Sequence, residues 1–157
     1  MAETELDPRD NPEYVTLSAA SKECGVRVQV LQELVSSRAL IHGVVRSRRG
    51  HAYLHRDSVP SWTQVEQLVL KLYTAQLDRV DRTMRVVETE VEALRLDLTE
   101  AQENPDAPLG DDLRGASIYA YDRQTSKTLY GALTKLQTDV IELEGLKRHL
   151  DDIRRVV

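Results

Sequence analysis

The sequence predicts a mainly α chain, with a short N-terminal head of mixed helix and hairpin followed by a long antiparallel helical hairpin or coiled coil. Three observations point there. Aromatic residues make up only 4% of the 157 residues, with no Phe, while charged residues make up 30%. That composition suits long helices with narrow apolar seams better than one thick core. From Pro60 to Glu103 there is no glycine and no further proline, whereas between Tyr14 and Trp62 the apolar period changes repeatedly. The expected organisation is a disordered acidic tail over 1–13, a head over 14–59, a long coiled-coil helix over 60–103, a loop and hairpin tip over 104–126, and a second coiled-coil helix over 127–157.

The opening dozen residues are polar, hold two prolines, and carry four acids against one base. They offer too little apolar surface to offset the entropy of ordering. In the head, Tyr14-Val15-Thr16-Leu17-Ser18-Ala19-Ala20 leads into a helix of about two turns, with Ser18 as its cap and Gly25 as its stop. A second helix fits Arg27 to Ser37: Val28, Leu31, Leu34 and Val35 share one face, and Gln29, Gln32, Glu33 and Ser36 the other. The pattern then becomes β. Leu40 to Val45 is apolar and β-branched, Arg46-Ser47-Arg48-Arg49-Gly50 reads as a turn, and His51 to His55 pairs back as a hairpin strand. Asp57 or Ser58 is expected to cap the following helix, with Pro60 in its first turn.

Residues 13–58 hold seven Lys or Arg against four acids, so the head is basic in a chain whose net charge is -5. A basic end on an acidic body is the asymmetry expected when one end meets a polyanion.

Residues 15–62 resemble the winged helix-turn-helix of MerR-type regulators and phage excisionases. The likeness rests on the aliphatic-Ala-Ala helix, the Gly25-Val26 turn, the helix bearing Leu31, the hairpin ending in Gly50-His51-Ala52-Tyr53-Leu54, and Asp57, Val59 and Trp62. A head of this kind on a coiled coil is also similar to a RacA-like arrangement, that of chromosome-anchoring proteins in sporulating bacilli. The resemblance covers about a third of the chain. It implies double-stranded DNA as partner, with helix 27–37 in the major groove and the hairpin as a wing on the backbone or minor groove. The DNA-binding residues would be Arg27, Gln29, Gln32, Glu33, Ser36, Arg46, Arg48, Arg49 and His51. Where the family carries a small hydroxyl residue after Gly-Val this chain has Arg27. Where the family places arginines along the outward helix face, this chain has Gln29, Gln32 and Glu33. The implied helix therefore leans on base contacts more than on phosphate.

Beyond the head, Leu70, Tyr73, Leu77, Val80, Met84, Val87, Val91, Leu94, Leu98 and Ala101 recur at alternating spacings of three and four, the pattern of a coiled-coil seam. After Lys127 the pattern returns through Leu129, Leu133, Leu136, Val140, Leu143, Leu150, Ile153 and Val157. Residues 111–126, with Gly115 and the β-friendly Ile118-Tyr119-Ala120-Tyr121, fit a helix or an extended loop. Gly131 and Gly145 are candidates for close approach of another helix. Asp81, Glu88 and Glu90 flank the first seam, and Arg123, Lys127 and Lys135 the second, which favours an antiparallel hairpin within the chain and two hairpins meeting in a homodimer or higher oligomer. A protein partner could sit at the hairpin tip.

No Gly-rich phosphate loop, HExxH, CxxC or GxSxG occurs, so the chain reads as a non-enzyme without cofactor. His51 and His55 share a strand face, but no third ligand completes a metal site. Tyr119, Tyr121 and Tyr130 could form an aromatic patch near the tip, with packing in a core the simpler account. Cys24 alone forms no internal disulfide and reads as a small buried apolar residue. With no signal-peptide core and no membrane-length apolar run, the expected location is cytoplasmic, at the nucleoid. The expected function is a sequence-specific, dimeric transcriptional regulator; the alternatives are a DNA-organising or segregation protein and a phage-type recombination or packaging accessory.

Overall fold

The computed structural model describes residues 7–103 and 118–155, except the side chains of 97, 98, 100–102 and 118–126. The chain divides into two compact units: one joins Met1–Thr74 to Glu144–Val157, and the other is Ala75–Leu143. The elements in order are β1 (Tyr14–Thr16), α1 (Leu17–Cys24), α2 (Val28–Ser36), β2 (Val44–Arg46), β3 (Ala52–His55), α3 (Trp62–Glu103) and α4 (Ile118–Arg155).

In the first unit, α1 is capped two residues before the expected Ser18: Thr16 Oγ1 accepts from the Ala19 amide at 3.2 Å. Its C-terminus closes at Gly25, whose φ of 70° lets its own amide and that of Val26 return to the Lys22 and Ser21 carbonyls. That left-handed turn is what glycine supplies without steric cost. α2 follows at once and buries Val30, Leu31, Leu34 and Val35. Val30 takes the place that the periodicity gave to Val28, which is half-buried.

Three strands form an antiparallel sheet in the order β1-β3-β2. Leu54, at the centre of β3, faces Val15 on one side and Val44 on the other, and it is fully buried. β1 is absent from the sequence reading, and β2 is shorter than the apolar run Leu40–Val45. Gly43, with φ 72°, approaches Ser58 so closely that a Cβ there would overlap the Ser58 side chain. Asp57 and Ser58 belong to a 3-10 turn and do not cap α3. The cap is Ser61: its Oγ accepts from the Gln64 amide at 3.3 Å, and Gln64 Oε1 accepts from the Ser61 amide at 2.8 Å. This reciprocal pair satisfies two otherwise orphaned donors.

The core of this unit draws on both ends of the sequence. Val15, Ala20, Val30, Leu31, Leu34 and Leu54 join Val65 and Val69 of α3 and Leu150 and Ile153 of α4. Glu66 and Arg154 pair across the same two helices at 3.0 Å. Residues 7–13, expected as part of a disordered tail, are instead turned and tied down: Arg56 Nε donates to the Pro12 carbonyl at 2.8 Å, and the Arg56 amide to the Glu13 carbonyl at 2.8 Å.

In the second unit α3 and α4 run antiparallel, since Arg79 reaches Glu142 while Thr83, one turn on, reaches Asp139. The second helix begins at Ile118, inside the stretch 104–126 expected as loop and tip; residues 104–117 lie outside the described residues. Only half of the expected seam faces inward. Tyr73 in the first unit, and Val80, Val87 and Leu94 in the second, are half-buried. Leu70 in the first unit, and Leu77, Met84 and Val91 in the second, are exposed, while the side chains of Leu98 and Ala101 lie outside the described residues.

Among the described residues of the second unit, the buried positions are polar: Gln76, Thr83 and a completely buried Asp139. Thr83 Oγ1 donates to Asp139 Oδ2 at 2.8 Å, Gln76 Nε2 donates to the Asp139 carbonyl at 2.9 Å, and Arg79 Nε lies 2.9 Å from Oδ1. The flanking charges also differ from expectation. Across the pair the base is on α3 (Arg79) and the acids are on α4 (Asp139, Glu142), whereas Asp81 pairs with Arg85 of its own helix at 2.8 Å. Gly131 and Gly145 mark no close approach, because a Cβ at either would meet nothing within 4 Å. Tyr130 is exposed, not packed in a core, and the side chains of Tyr119 and Tyr121 lie outside the described residues.

Candidate nucleic-acid interface

The outward face of α2 follows from its inward one. Burying Val30, Leu31, Leu34 and Val35 leaves Gln29, Gln32, Glu33 and Ser36 together on the opposite side, all exposed. Ser36 Oγ donates to the Gln32 carbonyl at 2.7 Å, so its hydroxyl is held against its own helix. The two Gln amides and the Glu33 carboxylate have no side-chain partner among the described residues. Such a stripe, about 10 Å along a helix, offers amide donors and acceptors and a carboxylate acceptor on one exposed face.

Arg27, at the start of α2, stands apart from that stripe. Its Nη1 pairs with Asp152 Oδ2 of α4 at 3.0 Å, although most of the Arg27 side chain is in water.

Between β2 and β3 the turn is closed by the Ser47 amide on the His51 carbonyl at 2.9 Å and the Gly50 amide on the Ser47 carbonyl at 2.8 Å. Arg46 Nη1 donates to the Gly50 carbonyl at 3.2 Å, bracing the turn from one side. Arg48, Arg49 and His51 are exposed, with no ion pair within 4 Å among the described residues. Four cationic or potentially cationic side chains therefore share one turn with little local neutralisation. Such a cluster suits a row of phosphates, each guanidinium offering paired donors.

Ser47, which the sequence reading passed over, is only 5% exposed, and its Oγ has no partner. Its place between Arg46 and Arg48 was the one available signal, and a serine in a turn carries no pattern of its own.

His55 is engaged in the head. Its ring meets Tyr14 edge-on with centroids 5.3 Å apart, and its Nδ1 accepts from the Asp57 amide at 3.3 Å. Cys24 is buried, with Sγ 3.0 Å from the Pro60 carbonyl. Burial, with a smaller contribution from Glu23, pushes its thiol above the usual range. The neutral form is the poorer nucleophile. Among the described residues no helix is long and apolar enough to cross a membrane. No protein-family model, curated protein or solved structure matches the chain.

Proposed function

We propose that the head is a winged helix-turn-helix that binds double-stranded DNA sequence-specifically, and that the protein acts as a dimeric transcriptional regulator. The observation that carries this reading is the pairing, within one unit, of an exposed polar stripe on α2 with an arginine-bearing turn between β2 and β3. In the major groove, Gln29 and Gln32 would face adenine edges and Glu33 the N4 amino group of cytosine, with Ser36 at the end of the stripe. Arg46, Arg48, Arg49 and His51 would hold phosphates or a narrow minor groove. Arg27 would reach a phosphate only beside Asp152, so its share is smaller than that of the wing.

A second reading, of a DNA-organising or segregation protein, is favoured by one observation. Leu77, Met84 and Val91 are 46–48% exposed at seven-residue spacing, a stripe that a further helix can cover. A phage-type recombination or packaging accessory has no such observation in its favour.

The test is binding to random-sequence and genomic DNA at two salt concentrations, with Arg46, Arg48 and Arg49 changed to Ala for comparison. Selection of a symmetric site by the intact chain, together with a salt slope flattened by up to about three phosphate contacts in the variant, supports the regulator. Cooperative, sequence-tolerant coverage by particles larger than a dimer supports the organiser. Absence of any salt-dependent binding rejects both.

A further inference from the structure

The helix pair of the second unit is held by its polar node, and its larger apolar side chains are left in water. On α3 these are Leu77, Met84 and Val91, each nearly half exposed. On α4 they are Leu133, also nearly half exposed, Ile141, at 58%, and Tyr130, at 73%.

Helical geometry brings the two sets together. At about 100° per residue, the buried and half-buried positions of α3 (Gln76, Val80, Thr83, Val87) fix the line along which it meets α4. Leu77, Met84 and Val91 lie about 60–100° from that line, in the rotational sense of advancing sequence. On α4 the line is fixed by Leu136, Asp139, Val140 and Leu143. Leu133 lies about 70° from it in the same sense, and Tyr130 and Ile141 about 130–150°. The helices run antiparallel, so rotation in the same sense carries both rows to one face of the pair, with Tyr130 and Ile141 at its outer edge. The register set by Arg79 with Glu142 and Thr83 with Asp139 interleaves the rows. Ile141 falls between Leu77 and Met84 in height, and Leu133 between Met84 and Val91. Val86, 52% exposed, lies on the other side of the α3 line and so on the opposite face.

We propose that this face docks a second copy of the chain, related by a two-fold axis, with α3 of each copy against α4 of the other in a four-helix bundle. The proposal gives a surface to the dimer of the proposed function and rests on that reading for the pairing of two copies. Area and charge both favour a second copy. The six side chains leave on the order of 500 Å² of apolar surface in water, as large as the largest patch on a typical monomer and well over half of the roughly 800 Å² that each partner gives to a standard interface. The α3 row is bordered by Asp81 and Glu88, the latter with no cation within 4 Å among the described residues, and the α4 row by the uncharged Thr134 and Gln137. Packing α3 against its own copy would bring acids toward acids, whereas packing it against α4 of the copy avoids this and keeps every neighbour antiparallel.

The experiment measures mass by sedimentation equilibrium over a range of concentration for the intact chain, Met84→Glu, Leu133→Glu and Val86→Glu. The intact chain and Val86→Glu are expected to be dimers of equal affinity. Met84→Glu and Leu133→Glu should each weaken the dimer by about tenfold or more, because a carboxylate is then desolvated at the interface. Their helical circular dichroism should match the intact chain, since the replaced side chains stand largely in water, and Leu133→Glu decides alone if Met84→Glu loses that signal. An intact chain that stays monomeric, a dimer that both variants leave unchanged, or one broken by Val86→Glu alone overturns the surface. Assemblies larger than a dimer overturn it as well, since one partner uses up a closed two-fold face. Duplex binding by the same proteins separates the two readings. A dimer broken by Met84→Glu that binds no DNA keeps the surface and removes the DNA reading, and a monomer that binds duplex does the reverse.

Discussion

The two units bury opposite kinds of side chain. In the first, Leu31, Leu34, Leu54, Val30, Val65, Val69 and Ile153 are essentially removed from water around a small sheet and two short helices. In the second, the most buried of the described residues are Asp139, Thr83 and Gln76, while Leu77, Met84 and Val91 keep nearly half their surface. The first is a folding core in the ordinary sense, stabilised by apolar area. The second has too narrow an interior for that, and uses one polar node to decide which turn of α3 meets which turn of α4. Apolar stripes tolerate a slip of register, but a buried carboxylate does not, because a slipped Asp139 would lose Thr83 and Arg79 together.

The sharpest way to break this contrast is in the first unit. Leu54→Ala removes the side chain that β1 and β2 both pack against, and should cost about 2–5 kcal/mol, read as a lower urea midpoint with loss of the hairpin. Next comes the node. Asp139→Ala strands the Thr83 hydroxyl and should cost about 1–3 kcal/mol. Asp139→Leu with Thr83→Val should return most of that stability while broadening the spectra of α3 and α4, since register is no longer specified. A uniquely packed double variant would show that the node does not set register. The smallest effect has the opposite sign. Gly131→Ala and Gly145→Ala meet open space in helix interiors, and each should raise stability by about 0.5–1 kcal/mol, seen as a higher Tm.

How much of this was legible follows from what each signal depends on. The Gly25 turn, the bounds of α2 and its polar stripe, and the Arg46–Gly50 turn are local features, and the residues declare them. β1 was missed because three residues before a helix cap leave no room for an alternating pattern. The start of α4 at Ile118 was left open because Ile118 and Tyr119 favour strands locally, a preference that the long helix overrides. The seam was half right. Periodicity finds apolar stripes, but it cannot foresee that Gln76 and Thr83 are satisfied by a residue some sixty positions away, which turns α3 so that Leu77 and Met84 lie at its edge. The cross-helix pairing expected of Asp81 failed for a different, local reason: Arg85, one turn along its own helix, is the nearer partner. As local structure, α2 and the turn between β2 and β3 were readable, whereas the pairing of Arg27 with Asp152 and the anchoring of residues 7–13 depend on distant chain.

The inclusion of Leu150 and Ile153 in the core that also holds Val15 has a consequence during biosynthesis. While residue 153 is still in the ribosome, the apolar seat on Val65 and Val69 has no occupant, and the earlier elements are left with an open flank. A chain stalled before residue 146 presents that flank to chaperones and proteases. A product that ends before residue 146 lacks Leu150 and Ile153, so its head should be less stable than that of the intact chain.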